Sequence, residues 1–299
     1  MSRTVLVTGA TGLVGTAVVR RLKDSDWTVR GMTHTPSKTE SLRASGCSEV
    51  VIGDVTDPAG MIKAAEGADA IIHSVGVLIE KGKATYESVN IGGTRNAVEA
   101  AKLAGCDRFV MMSALGLQPV ERNAYAASKV SCEDLVKSSA LSYAILRSSY
   151  VCGPGAEILQ LFKSLASMPV VPVIGKGAQL MQFVSVADVA SCLVGSLDLE
   201  ASTSEVFELC GPVPVTYDEV IDLVASLHGK TPKRKLHMPV RLINLTLPLA
   251  EIIPGSVVSR TTVEMLLRDS TCDPRGAAKA FGVELTPVED CLREAYGIK

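Results

Sequence analysis

The chain has no excess of charge of either sign: 30 Lys and Arg stand against 32 Asp and Glu, for a net charge of -2. No global field draws in a polyanion, so nucleic acid is not an expected partner. Any Cys-x-x-Cys pair is also missing. Cys47, Cys106, Cys132, Cys152, Cys192, Cys210, Cys272 and Cys291 lie singly, and His34, His73, His228 and His237 are far apart. These spacings offer no zinc cluster, and they imply eight reduced thiols in a cytosol-like compartment. No uninterrupted apolar run is long enough to span a bilayer. The most apolar late stretch, residues 240–258, is broken by Arg241, Pro248, Glu251 and Pro254, which leaves open only a peripheral membrane contact there. Strand-like residues begin at Thr4, so no cleaved leader is expected and a cytoplasmic location follows as the expectation. Repeats, low-complexity tracts and linkers are absent too.

What is present is a composition 47% apolar and 21% charged, typical of a chain that folds throughout. At 299 residues it exceeds what one core usually organises, so a larger domain with a smaller companion is expected. The first half alternates short β-branched runs with helical patterns. Strands are expected at Thr4–Thr8, Thr28–Met32, Glu49–Ile52, Ala70–Ser74, Arg108–Met112 and Ser142–Leu146, with helices between them. This predicts an α/β, Rossmann-type, doubly wound parallel sheet over residues 1–150, with ligands at the edge formed by the strand C-termini. A smaller α/β substrate lobe is expected over 151–299, from which 181–197 returns to the first domain. There a helix near Ile158–Ala166, a strand near Glu205–Leu209 and a helix over Tyr217–Leu227 are expected.

The segment Val5-Leu6-Val7-Thr8-Gly9-Ala10-Thr11-Gly12-Leu13-Val14-Gly15 runs a buried strand through a glycine-spaced turn into a helix. Backbone without Cβ atoms lets a pyrophosphate approach the N–H groups at the helix N-terminus, where the helix dipole favours negative charge. The spacing therefore points to dinucleotide binding, although a tight turn without a ligand would look the same.

This Gly-x-x-Gly-x-x-Gly pattern resembles the extended and atypical branches of the short-chain dehydrogenase/reductase superfamily, and the likeness covers nearly the whole chain. Gly53-Asp54-Val55 resembles the family's adenine-contacting segment, though Asp54 could equally cap the following helix. His73-Ser74-Val75-Gly76 is similar to the segment lining the cofactor after the fourth strand, and Val89-Asn90-Ile91-Gly92-Gly93-Thr94-Arg95-Asn96 to the Asn-x-x-Gly-Thr helix. Ser113, Tyr125 and Lys129 match the catalytic Ser and Tyr-x-x-x-Lys of the family. Four residues apart on a helix, Tyr125 and Lys129 share a face, and the ammonium is expected to lower the phenol pKa from about 10. The resemblance implies hydride exchange at nicotinamide C4 with Tyr125 as acid or base and Ser113 bonded to the substrate oxygen. The same pair also occurs on solvated helices without any role.

The end of the second strand, Arg30-Gly31-Met32-Thr33-His34, carries no acid for a ribose 2'-OH. His34, Lys38 and Arg30 are candidates to hold a 2'-phosphate, so NADP(H) is expected over NAD(H). The segment around Ser148 resembles the stretch that passes the nicotinamide. Met181 stands where nucleotide-sugar epimerases carry an Arg, so a small substrate of low charge is expected. Gln182 and the tail from Thr261 to Leu292 look similar to the atypical branch related to the 39 kDa accessory subunit of respiratory complex I. Three readings stay open: an oxidoreductase, a nucleotide-sugar epimerase or dehydratase, and a non-catalytic NADP(H)-bound subunit with a protein partner.

Overall fold

A computed structural model describes residues 3–116, 123–200, 202–231, 234–241 and 260–298. The chain divides into two compact units, 1–148 with 186–209 and 274–284, and 149–185 with 210–273 and 285–299.

In the first unit, β1 (Arg3–Thr8), β2 (Trp27–Thr33), β3 (Glu49–Ile52), β4 (Ala70–His73), β5 (Arg108–Ala114) and β6 (Tyr143–Ser148) join the strand Glu205–Leu209 in one sheet. Its order is Glu205–Leu209, β6, β5, β4, β1, β2, β3, and every neighbouring pair is parallel. The central strands read as apolar runs because both faces are covered. Leu6, Ile71, Phe109, Met111 and Ile145 share one core with Met61, Ala64, Ala97, Ala101 and Val136. The alternate residues Val5, Val7, Ile72 and Val110 are equally buried and point to the opposite face. The small alanines let α3 (Pro58–Ala65) and α4 (Gly93–Ala104) lie close to each other and to the sheet.

From β1 the chain winds outward through β2 to β3; from β4 it winds the other way, through β5 to β6. Right-handed crossovers in opposite directions put the connecting helices on opposite faces and open a crevice at the C-terminal ends of β1 and β4. The residues of interest gather at that edge. They come from the turn into α1 (Leu13–Leu22), the loop after β4, the end of β5 and the first turns of α5 (Ala124–Lys137).

In the second unit, helices Glu157–Ala166 and Tyr217–Leu227 pack together, with Phe162 against Phe183 and Tyr217 at ring-centroid distances of 6.1 and 5.1 Å. Strand Val170–Ile174 pairs in parallel with Arg234–Met238. The final helix, Val288–Tyr296, is tied down by Tyr296, whose hydroxyl donates to the Leu159 carbonyl at 2.7 Å. Residues 242–258 of the broken apolar stretch lie outside the described residues. Among those described, no helix is long and apolar enough to cross a membrane, and no group of three or more His, Cys, Asp or Glu is arranged to hold a metal ion.

One expectation is corrected here. Cys210 and Cys272, 62 residues apart, are joined as a disulfide with Cα atoms 6.0 Å apart, so the reading of eight reduced thiols fails at these two. Motif spacing sees only neighbours in sequence, whereas this pair is brought together by the fold of the second unit. Buried Gln182 spans the junction: its Nε2 donates to the Gly211 carbonyl at 2.6 Å, and its Oε1 accepts from the Cys272 N–H at 3.0 Å. The other six cysteines are free and buried.

Candidate active site

The three glycines of the first turn have three different causes. Gly9 has φ +71°, and a Cβ there would lie 2.9 Å from Ser74 Oγ and 3.1 Å from the Ser74 backbone. A Cβ on Gly15 would stand 2.1 Å from the Gly9 carbonyl oxygen, so this residue lets α1 sit on the turn. Both are demanded by the fold itself. Gly12, whose N–H donates to the Gly9 carbonyl at 2.9 Å, is exposed, and a Cβ on it would meet only that carbonyl oxygen, at 3.3 Å. Helix α1 has no side-chain cap and no acid in its first turn. Bare backbone at the positive end of a helix suits a phosphate. Around this cradle Thr11 is exposed, Leu13 and Val14 are half-buried, and Ala10 is buried.

The crevice continues along the end of β4. His73 is buried between Thr8 and Thr94, with Nδ1 2.8 Å from Thr8 Oγ1 and Nε2 3.3 Å from Thr94 Oγ1. Burial, aided by the positive charge of Lys129, pushes its pKa down to about 3, so this imidazole is neutral. Ser74 Oγ donates to the Thr8 carbonyl at 2.8 Å, which joins the loop after β4 to the glycine turn. Val75 is half-buried and Gly76 exposed. Asn90 sits in a wide π-helical turn, Tyr86–Gly92, whose start is fixed by reciprocal bonds between Thr85 and Ser88. The Asn90 side chain accepts from the Val77 N–H at 2.8 Å and donates to the Val77 carbonyl at 3.3 Å and Ser128 Oγ at 3.0 Å. It is 1% exposed. These bonds tie the loop after β4 to the first turns of α5.

Helix α5 begins at Asn123, whose Oδ1 accepts from the Ala126 N–H at 3.0 Å. Tyr125 lies in its first turn, edge-on to Tyr86 with ring centroids 6.0 Å apart. Burial first, then Tyr86 and Cys132, push the phenol up to about 12. This reverses the expected lowering by Lys129, because that ammonium is directed elsewhere. Lys129, only 7% exposed, donates from Nζ to the Met112 carbonyl at 2.9 Å, and a Cβ at Gly76 would lie 3.8 Å from Nζ. Burial lowers its pKa.

Ser113, on β5, donates from Oγ to Glu133 Oε1 at 2.8 Å. Glu133 is 1% exposed and also accepts from Arg147 through Nε (2.8 Å) and Nη2 (2.6 Å) and from Lys137 Nζ (2.9 Å). Burial alone would raise the carboxyl pKa, but the bonds from Arg147, Lys137 and Ser113 outweigh it and hold the pKa below the ordinary range. The Glu133 network is not among the sequence expectations, although a signal for it exists: Tyr125, Lys129, Glu133 and Lys137 recur every four residues on one helix. At the end of β6, Ser148 is buried and its carbonyl accepts from the N–H of Leu115, the residue directly after β5, at 2.8 Å.

Other candidates stand further along the sheet. Asp54 is exposed and accepts from Thr56 through the N–H at 2.9 Å and the hydroxyl at 2.8 Å. The cap of α3 is Asp57, three residues later, so the alternative of Asp54 as that helix cap is set aside. Val55 is buried against Gly93, where a Cβ would come within 2.8 Å of Val55 Cγ2. His34 and Lys38 are both exposed. Arg30 is engaged elsewhere: it donates to Glu49 Oε2 at 2.6 Å and to the Ala64 and Glu66 carbonyls at 3.0 and 2.7 Å. It is withdrawn as a phosphate ligand.

A parallel sheet in this strand order, with an uncapped glycine turn and a buried ammonium at its crevice, defines a nucleotide-binding α/β protein. The chain belongs to the NAD dependent epimerase/dehydratase family, whose model matches residues 5–210, and it is an NAD(P)-binding member. Among curated proteins it is 35% identical over 191 residues to the ceramide reductase of Caulobacter vibrioides, covering 64% of this chain and 59% of that one. The uncharacterized sugar epimerase YhfK of Bacillus subtilis is 29% identical over 71% of this chain and 96% of its own. The photosystem II assembly factor Ycf39 of Cyanophora paradoxa is 25% identical over 81% and 73%. Two solved structures share the fold: the NADPH-dependent quinone oxidoreductase QOR2 of Escherichia coli with NADPH (TM-score 0.78, 20% identity, 98% and 99% covered) and MoeE5 with UDP-glucose and NAD (TM-score 0.75, 21%, 98% and 97%).

Proposed function

We propose that the chain is an NADP(H)-dependent oxidoreductase that interconverts a carbonyl and an alcohol on a small substrate of low charge. The observation that carries this reading is the buried ammonium of Lys129, held between the carbonyl preceding Ser113 and the loop at Gly76. Burying a lysine is unfavourable unless it is paired or used, and this one stands one helical turn from a phenol at the dinucleotide crevice. The residues fit a bound dinucleotide: the Gly9–Gly15 turn would take the pyrophosphate, and Gly76 would allow close approach near Lys129. Bound NADPH supplies a hydride from nicotinamide C4. Tyr125, neutral at physiological pH, donates its phenolic proton to the carbonyl oxygen. Ser113 engages the resulting hydroxyl. His34 and Lys38, exposed beyond the end of β2 where no acid stands, favour a 2'-phosphate and hence NADP(H).

Reduction is favoured over sugar-nucleotide epimerisation because Met181, at the place where epimerases carry a cation, is fully buried. The likeness to a ceramide reductase points the same way. Calorimetry with NADPH and NADH, followed by a carbonyl and quinone panel, tests the reading. Tyr125→Phe removes one oxygen and keeps the ring: NADPH affinity should persist while turnover falls by about 10² to 10⁴. Wild-type turnover in Tyr125→Phe would exclude the mechanism. Tight NADPH binding with no turnover of any carbonyl would favour the non-catalytic subunit.

A further inference from the structure

In the second unit, the sheet formed by Val170–Ile174 and Arg234–Met238 has a face with no part in the reading above. Among the described residues the two strands pair only with each other, with Val170 opposite Arg234, Pro172 opposite Leu236 and Ile174 opposite Met238. Burial and ion pairs fix which face is which. Val171 and Val173 are wholly buried, and their partners Lys235 and His237 reach Asp222 and Asp218 of the helix Tyr217–Leu227 at 2.6 and 2.9 Å. By the alternation of a strand, Val170, Pro172, Ile174, Arg234, Leu236 and Met238 turn the other way. Only Arg234 among them is polar. Leu236 is 57% exposed and Val170 44%, on a face where a half-buried strand ordinarily turns polar residues to water. Met168, two residues before Val170, is exposed as well.

The charge around this face has one sign. Between Asp222 and Glu251 the sequence has five Lys and Arg and no acid, in a chain whose total charge is -2. Exposed Lys230 donates to Ser167 Oγ at 3.1 Å, which stands it beside Met168, and exposed Arg234 lies on the face itself. The acids that face this sheet, Asp218 and Asp222, lie on its other side, where His237 and Lys235 engage them. Exposed apolar side chains flanked by cations complement a surface that is anionic on top and apolar beneath, whereas a polyanion with no apolar layer would leave Leu236 and Val170 in water. We propose that this face docks the protein on an anionic lipid bilayer, with Leu236, Val170 and Met168 entering the headgroup layer and Lys230 and Arg234 pairing with lipid phosphates. The contact is peripheral, and it stands or falls independently of the oxidoreductase reading.

The test is sedimentation of the intact chain with vesicles of phosphatidylcholine, with and without one-third phosphatidylglycerol, at low and at raised salt. Binding is expected to the mixed vesicles only, and it should weaken as salt rises. Lys230→Ser with Arg234→Ser should weaken it roughly twenty-fivefold, about fivefold for each cation brought near an anionic surface. Leu236→Asp should weaken it about tenfold or more, because an acid replaces an inserted side chain. These positions are exposed, so thermal unfolding should stay close to that of the wild type. If Leu236→Asp does not fold, Met168→Asp, in the turn before the first strand, carries the apolar half of the test with the same expected direction. No sedimentation with either vesicle, equal binding to the neutral vesicle, or variants that bind like the wild type would each overturn the proposal. A wild-type dimer in light scattering that Leu236→Asp makes monomeric would also overturn it, since a second copy then covers the face.

Discussion

The two sides of the crevice are built on opposite principles. At the turn after β1, the site consists of backbone: Gly9 and Gly15 leave room for each other and for Ser74, and Gly12 presents nothing beyond its main chain. Around β5 and α5, the site consists of buried side chains, with Lys129, Glu133 and Ser113 each at most 7% exposed and all hydrogen-bonded. One side is intolerant of added atoms and the other of lost charge. His73, which links Thr8 on β1 with Thr94 on α4, lies between them. On the proposed function, dinucleotide affinity resides in the first side and the chemical step in the second.

The sharpest way to break this comparison is within the turn. Gly15→Ala drives a Cβ into the Gly9 carbonyl, a backbone clash that no rotamer relieves, and should destabilise the protein by about 3 kcal/mol or more and abolish NADPH binding. Gly12→Ala should leave the stability measured by urea unfolding within roughly 0.5 kcal/mol of wild type, since its Cβ meets one atom, and Gly12→Val should still weaken NADPH binding. Equal destabilisation by the two alanines would refute the separate causes assigned to the two glycines.

Acid titration tests the side-chain half. His73 takes up a proton near pH 6.5 when unfolded but only near pH 3 when folded, so stability should fall as pH drops from about 6.5, with a limiting slope of about 1.4 kcal/mol per pH unit. His73→Gln should flatten that slope. Glu133 adds a second window. Its folded pKa is lowered, so its contribution is present above the ordinary carboxyl range and is lost as pH falls through and below it. Chemical denaturation at several pH values should therefore show the stability gap between wild type and Glu133→Gln narrowing only below about pH 4.5.

The smallest expected effect is coenzyme choice. His34→Ala with Lys38→Ala should reduce the NADPH to NADH affinity ratio by about threefold to thirtyfold, because exposed cations interact with phosphate through solvent. An unchanged ratio would leave the preference without these two side chains.

The elements of the first unit are legible in the order of residues alone. Apolar runs such as Val5-Leu6-Val7 and the helix signals between them place each element within a few residues. Strand β3 and the strand Glu205–Leu209 match their expected bounds, as does the helix Tyr217–Leu227 of the second unit. The candidate site is legible where a motif is local, as at Gly9–Gly15 and Tyr125–Lys129. It is hidden where the partners are remote. Arg30 looks free for a phosphate until β3 and the end of α3 supply Glu49 and two carbonyls. The bonds of the Asn90 amide to Val77 and Ser128 likewise are invisible in the order of residues.

Sequence by itself determined the parallel α/β architecture and the glycine turn, because hydrophobic periodicity and backbone freedom are properties of neighbouring residues. Tertiary structure alone decided the Cys210–Cys272 bond, the neutral state of His73, the upward shift of the Tyr125 phenol and the capture of the Ser113 proton by Glu133. Each of these depends on burial or on a partner many residues away. Burial and long-range pairing exist only once strand order and helix packing have brought those residues together.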